Sequence, residues 1–481
     1  MPLNRPGPAI NVCFDPWTAR FSGNGVDFTW SELMFRPELC LNKLFLSVFI
    51  RVHPWLSSAG FRIETCFWHG NLSRSMSNET TSLVSIQPAA DYDPNRVLAA
   101  LRACLEPLGG MQAFVQPGQR VLLKLNLLGP FAMERGVTTH PAVVRAAVLL
   151  AQEAGGRVFL GDSPAMGPLA SVARACGLAP VLAETGAELL DFTERHEFEV
   201  PGPKVVPRLT LAKALLQADV VITLPKLKTH AQMTLTAALK NQYGCIPGAL
   251  KSQWHFRLQQ PEWLASLILD VNRVVRPALA IMDAVMAMEG SGPTSGQLRR
   301  VGALIASPDL AAADTLACHL IGLDPMRVPL LAAAREQGFG ETRLERIRVI
   351  GDWQSLRVPD FKQVEQMVNL LRLLPLPQPA LNWLRRQWTS RPQIVDGRCT
   401  RCGICEKGCP VSPPVIHPHA PPAERLDDNR CIHCYCCHEF CPSHAIELRA
   451  PWLARHLPTE TLADHAGRLV GFLSSLRRRK S

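Results

Sequence analysis

Nine of the 16 cysteines in this chain fall between Cys399 and Cys441, and their spacing restricts the fold more than any other feature. The first run reads Cys399-Thr-Arg-Cys402-Gly-Ile-Cys405-Glu-Lys-Gly-Cys409-Pro410. The second reads Cys431-Ile-His-Cys434-Tyr-Cys436-Cys437-His-Glu-Phe-Cys441-Pro442. Both contain C-x2-C-x2-C-x3-C-P. Three thiolates at these spacings wrap one face of an iron–sulfur cube, and the fourth, followed by proline, reaches the cube of the other half. This assigns Cys399, Cys402, Cys405 and Cys441 to one [4Fe–4S] cluster, and Cys431, Cys434, Cys437 and Cys409 to a second. Zinc is the alternative, because C-x2-C also suits a tetrahedral ion. Eight ligands with two Cys-Pro endings fit two cubes better. Cys436 is a ninth thiol, read as a buried neighbour of the cluster, with a redox or ligand-exchange role as the alternative. A disulfide scaffold does not suit a chain of 481 residues without a convincing signal peptide. Thiolate ligands imply a reducing compartment, the cytoplasm.

The block resembles the bacterial two-cluster ferredoxin module over residues 396–447. The resemblance implies a small α+β unit that moves single electrons. The long, proline-rich stretch Val411–Arg430 between its halves is expected to form a surface loop.

The preceding segment has a different texture. Residues 95–107 carry apolar positions at helical spacing, and Val121–Leu128 reads as a buried strand. Pro141 opens a helix that stops at Gly155-Gly156. Short β-rich runs follow at 158–161, 220–224, 279–282, 301–306 and 347–350, with helical patterns at 168–176, 231–243, 261–274, 308–321 and 327–337. Alternating strand and helix predicts an α/β domain with a mostly parallel sheet, over residues 76–365. Ligands of such sheets gather at the carboxyl ends of the strands.

Polar residues stand at those ends. Lys124 and Asn126 follow one strand, and Asp162 follows the next in Gly161-Asp-Ser-Pro. Lys226, Lys228, Thr229 and His230 follow a third, and Lys240-Asn241 lies one helix further on. Asp283 ends a fourth strand, ahead of Glu289-Gly-Ser-Gly-Pro. Any one of these alone would be a turn, a cap or a solvated lysine. Together they point to an anion site in which Lys124, Asn126, Lys226, Lys228, Thr229, Lys240 and Asn241 bind substrate. Asp162, His230 and Asp283 are the candidates for acid/base or metal contacts. No P-loop, HExxH, dinucleotide fingerprint or nucleophile elbow is present.

Lys124-Leu-Asn-Leu-Leu, Thr138-Thr-His-Pro141, Gly161-Asp-Ser-Pro, Pro225-Lys-Leu-Lys-Thr-His and Leu239-Lys-Asn-Gln-Tyr-Gly244 occur in this order. They resemble the domain of unknown function 362 family over about residues 82–352. That resemblance implies an uncharacterised iron–sulfur protein whose members often end, as here, in a two-cluster ferredoxin module.

The charge is uneven. The net +10 divides into +2 for residues 1–75, +1 for 76–365, +4 for 366–398, −2 for 399–447 and +5 for 448–481. The middle domain is therefore balanced, which weighs against nucleic acid as a partner. Residues 1–75 read as a disordered arm or the product of a misplaced start, with Met76 as the natural beginning. Residues 366–395 read as a basic, apolar linker and 448–481 as a basic helix, able to lie on an anionic membrane surface. No apolar run is long enough to span a bilayer.

The whole predicts a redox protein that relays electrons between a partner protein and a small anionic substrate. The rivals are a non-catalytic carrier or assembly factor that docks a partner, and a nucleic-acid-associated iron–sulfur protein. An enzyme should take a small-molecule ligand at the lysine cluster, a carrier should have an empty, shallow surface there, and a nucleic-acid binder should lose affinity steeply with salt.

Overall fold

The computed structural model describes residues 20–23, 26–29, 82–248, 250–364 and 389–450. Near the N-terminus, β1 (Arg20–Gly23) and β2 (Val26–Thr29) pair antiparallel. The rest of segment 1–75, and the expectation of a disordered arm or misplaced start there, lies outside the described residues. So do residues 365–388 and 451–481, where a linker and a basic helix are expected.

The main domain starts with β3 (Ser82–Pro88), β4 (Arg120–Lys124), β5 (Arg157–Asp162) and β6 (Glu188–Asp191). A side hairpin, β7 (Arg195–Glu199) and β8 (Arg208–Ala212), precedes β9 (Val220–Thr223), β10 (Lys226–His230) and β11 (Thr234–Thr236). The last three strands are β12 (Leu279–Glu289), β13 (Gln297–Ser307) and β14 (Ile347–Ile350). The sheet runs β14-β3-β13-β12-β9-β4-β5-β6, with β10 and β11 joined to it at β12. Every pair along this path is parallel except the two made by β13, so the domain is α/β with a mostly parallel sheet.

Both faces of the sheet are covered, and the period of two decides which side chain goes where. In β4, Leu122 packs into one core while Val121 and Leu123 pack into the other. The same alternation holds in β12 for Ala280 and Met282 against Leu279 and Ile281. Helices Pro94–Leu105 and Pro141–Glu153 cover one face. Helices Pro261–Val275, Leu310–Leu320 and Pro329–Gln337 cover the other. Their starts are fixed locally: Pro94 stands at the first turn, and the Asp93 carboxylate accepts from Asn95 N and Arg96 N.

Three expectations need correction. The strand expected over 121–128 ends at Lys124, so Asn126 lies in a loop. The helix expected over 231–243 is instead strand β11 followed by a short helix, Ala238–Asn241, because Thr234 takes a left-handed φ of 64° that interrupts any helix. The segment Lys226–His230 is itself a strand, buried along its whole length, and not a loop after one.

Residues 389–450 form a small unit. β15 (Arg391–Ile394) and β16 (Ile446–Arg449) pair antiparallel, so the unit starts inside the expected linker and ends past residue 447. Two short helices, Ile404–Lys407 and Cys436–Glu439, repeat one local plan. Gly403 and Tyr435 precede them with φ of 73° and 61°, and Arg401 and His433 also lie at positive φ. The intervening stretch is tucked in more than a surface loop would be, since Val411, Val415 and Ile416 are buried.

Candidate functional site

The parallel register sets β4, β5 and β9 side by side, so Lys124 lies beside Gly161 and Thr223 at their carboxyl ends. Lys124 Nζ is 2.9 Å from Asp162 Oδ1, and both side chains are buried. Asp162 also accepts from Leu127 N at 2.7 Å and from Ser163 N at 2.7 Å. Gly244 covers this pair. A Cβ there would lie 2.5 Å from Asp162 Oδ1 and 2.6 Å from Lys124 Nζ, so only glycine permits the approach.

A cavity of about 480 Å³ opens over these strand ends. Lys124, Asn126, Asp162, Lys228, Lys240 and Asn241 line it, together with Lys251 and His255 of helix Leu250–Arg257. The Cys-rich unit forms another part of its wall with Ile404, Lys407, Cys436, Glu439 and Phe440. The two units are joined by specific contacts. His230 Nε2 lies 3.0 Å from Glu439 Oε1, and Ser295 Oγ lies 2.6 Å from His444 Nδ1. His230 Nδ1 accepts from Gln232 N and Met233 N, which leaves the proton of the neutral ring on Nε2, facing Glu439.

Burial dominates the electrostatics. It pushes the Lys228 ammonium down to about 7, and the nearby Lys240 and Lys226 add repulsion. It pushes Lys251 down to about 8, while Lys251 Nζ donates to Ser163 O at 2.6 Å and to Ile246 O at 2.9 Å. His230 and His255 are both pushed down to about 4, so each ring is neutral near pH 7. Burial opposes the charge on Glu439, but His230, Lys240 and His255 together hold the carboxyl at about 2.

Other expected site residues are placed elsewhere. Lys226 Nζ lies 2.8 Å from Asp283 Oδ2 and donates to Tyr92 Oη at 2.6 Å. Asp283 accepts further bonds from Tyr92, His140 N and Val285 N, and neither partner reaches the cavity wall. The pair is a latch between β10 and β12, and both residues, expected at the site, stand outside the cavity lining. Thr229 donates to Gly290 O at 2.8 Å and accepts from Gly292 N at 3.2 Å, holding the Glu289–Pro293 loop. A Cβ on Gly292 would meet Thr229 O, so this glycine serves close packing. His230 stands outside the cavity lining and contacts Glu439, which is part of it.

Lys251, His255, Lys407 and Glu439 were not among the candidates. Lys251 and His255 stand four apart on one helix, so a helical reading of 250–257 would have placed them on one face.

The thiols fall into two neighbourhoods. Burial pushes Cys405 up to about 11, and Cys441, Cys402 and Cys399 push the same way. Burial likewise pushes Cys431 up to about 11, helped by Cys434 and Cys409. Cys409, Cys431, Cys434 and Cys437 line one small cavity whose other walls include Val411, Val415, Ile416 and Leu426. Among the described residues, no three His, Cys, Asp or Glu side chains converge closely enough to hold a single metal ion. A four-iron cube spreads its thiolates over separate irons, so its ligand set is wider than that of one zinc.

The family model described as "Domain of unknown function (DUF362)" matches residues 121–319. A thylakoid-associated protein of Synechocystis sp., sll1697, is 39% identical over 294 residues, covering 60% of this chain and 89% of that protein. Among solved structures, the lactate racemase apoprotein of Thermoanaerobacterium thermosaccharolyticum superposes with a TM-score of 0.32 at 10% identity, over 50% of this chain and 57% of that one. A Thermotoga maritima protein superposes with a TM-score of 0.33 at 11% identity, over 48% of this chain and 60% of that one.

Proposed function

The chain belongs to the DUF362 family, and from that premise we propose that it is an iron–sulfur redox protein. In this reading residues 389–450 are a two-cluster, ferredoxin-like unit, and electrons pass to or from an anionic small molecule in the cavity. One observation carries the reading: a single cavity is walled by buried lysines of the α/β domain and by Cys436, next in sequence to Cys437, in the Cys-rich unit. Two groupings of thiols support two cubes: Cys405 with Cys399, Cys402 and Cys441, and Cys409, Cys431, Cys434 and Cys437 around one small cavity. When bound, such clusters supply single electrons.

The chain's own residues do the rest. Lys228 and Lys240 attract the negative charge, and Lys251 anchors its helix to the Ser163 turn. Lys124 holds Asp162 at the wall, where the carboxylate can take or give a proton. The neutral His230 keeps Glu439, and with it the Cys-rich wall, in place. A concave site of this size at the strand ends, lined by converging polar side chains, favours an enzyme over a carrier, which needs only a docking face. Cys402 is exposed, so the cluster near it faces a redox partner protein, and the cluster beside Cys436 faces the cavity. The protein works in a reducing compartment, and its relative's thylakoid association suits attachment to a membrane surface without a span. No helix among the described residues is long and apolar enough to cross one.

Electron paramagnetic resonance of the anaerobically reduced chain tests the proposal. Two coupled cluster signals are expected. Cys409→Ser should abolish the cavity-side cluster and spare the one at Cys399, Cys402, Cys405 and Cys441. A spectrum that Cys409→Ser leaves unchanged contradicts the assignment.

A further inference from the structure

The cavity wall has two chemical sides. On one side, Lys228 and Thr236 are cross-strand partners of β10 and β11, and both line the cavity. The charges of Lys240 and His255 lie close enough to influence each other. Thr236 and His255 are 4% and 6% exposed, yet Thr236 Oγ1 and His255 Nδ1 have no hydrogen-bond partner. Buried polar atoms without partners are rare in folded chains, and a set of them around one cavity marks where a ligand's polar atoms belong.

Charge points the same way. Five lysines on the wall (Lys124, Lys228, Lys240, Lys251 and Lys407) face two carboxylates, Asp162 and Glu439. Asp162 is already paired with Lys124, and the charge of Glu439, which contacts the neutral His230, is offset by Lys240. Lys228, Lys251 and the exposed Lys407 are left without a carboxylate, and that excess calls for more than one negative charge, the more so because Lys228 is buried and an ammonium there is costly without counter-charge. The other side is apolar, with Leu127, Leu128, Ala165, Met166, Ile404 and Phe440. Leu128 and Met166 pack onto Phe131, Val137 and Met288, so that side is a firm hydrophobic surface.

We propose that the cavity takes a small amphipathic dianion, a phosphate monoester or a dicarboxylate on an apolar body, clamped between the α/β domain and the Cys-rich unit. The dianionic head meets Lys228, Lys240, Thr236 and His255. The body lies on Leu127, Met166 and Phe440. Lys407 adds a cation from the Cys-rich side, so the ligand ties the two units together. The proposal rests on the anion site described above, and it does not depend on the identity of the metal in the Cys-rich unit.

Calorimetry on the full chain, with phenyl phosphate, phthalate, benzoate, inorganic phosphate and benzyl alcohol as probes, tests it. Phenyl phosphate or phthalate should bind at least tenfold more tightly than benzoate, which lacks the second charge, and than inorganic phosphate, which lacks the body. A preference for phenyl phosphate over phthalate identifies a phosphate head, and the reverse identifies paired carboxylates. Lys240→Met should weaken the dianion at least tenfold. Lys407→Met, at an exposed side chain, should weaken it severalfold. Bound dianion should also slow amide exchange in 404–408 and 436–440, as well as in 250–255. Equal binding of benzyl alcohol, no dianion binding at millimolar concentration, or protection confined to 250–255 would overturn the proposal. Iron and sulfide are measured on the same sample. Dianion binding without iron leaves this inference standing and sinks the cluster reading; clusters without dianion binding do the opposite.

Discussion

Two lysine–aspartate pairs sit on this one sheet, and their surroundings differ. Lys226–Asp283 ties β10 to β12, and its remaining hydrogen-bonding capacity is met by Tyr92, His140 N and Val285 N. Tyr92 also stacks on His140, with ring centroids 3.6 Å apart, and closes that corner. Lys124–Asp162 is just as buried by its neighbours but fronts the cavity. In sequence the two look alike, each a charged residue at the end of a β-rich run. The difference shows that burial of a lysine marks structure or function only together with what its outer side faces.

The largest effect should separate the pairs by stability. Asp283→Ala strands the Lys226 ammonium in a closed corner and should cost about 3–5 kcal/mol in urea unfolding. Asp162→Ala leaves Lys124 beside a cavity that can admit water, and should cost roughly 1–3 kcal/mol. Equal losses would erase the distinction.

Gly244→Ala sharpens it from the other direction. The new Cβ would press on Lys124 and Asp162 from the cavity side. Dianion affinity should fall at least tenfold while the melting temperature drops by only a few degrees. An unchanged affinity would remove this pair from the site.

The smallest effect is protonic. Lys228 and Lys251 are held at about 7 and about 8, below the ~10.4 of an unfolded lysine. Below pH 7 both forms carry the proton and the native state bears the full burden of the buried charge. Between about 7 and 10 the unfolded chain binds more protons, so stability should rise with pH. Dianion affinity should fall over about pH 7–8 as these lysines lose their charge. Binding at pH 8 should therefore take up protons, which calorimetry in two buffers of different ionisation enthalpy measures. Proton release would contradict the assignment.

Much of this was legible in the sequence, for reasons that differ by region. The α/β sheet was readable because both of its faces are buried, so its strands are short, unbroken apolar runs. The meeting of Lys124, Asn126, Asp162, Lys228, Lys240 and Asn241 around one cavity was readable because strand ends converge in a parallel sheet. The latch role of Lys226 and Asp283 was not, because it depends on Tyr92 and His140, which are distant in the chain. Helix 231–243 was misread because its apolar spacing survives while the left-handed Thr234 breaks it. Glu439 and Lys407 were hidden inside the cysteine runs, where the thiols dominate any reading. The wall they form exists only because the Cys-rich unit docks on the strand ends, a long-range fact that no local pattern carries.

The account stands or falls on what residues 389–450 hold. Iron and acid-labile sulfide should be counted on anaerobically purified protein. Two four-iron cubes predict about eight of each per chain. One zinc per half-motif, or neither iron nor sulfide, would contradict the account.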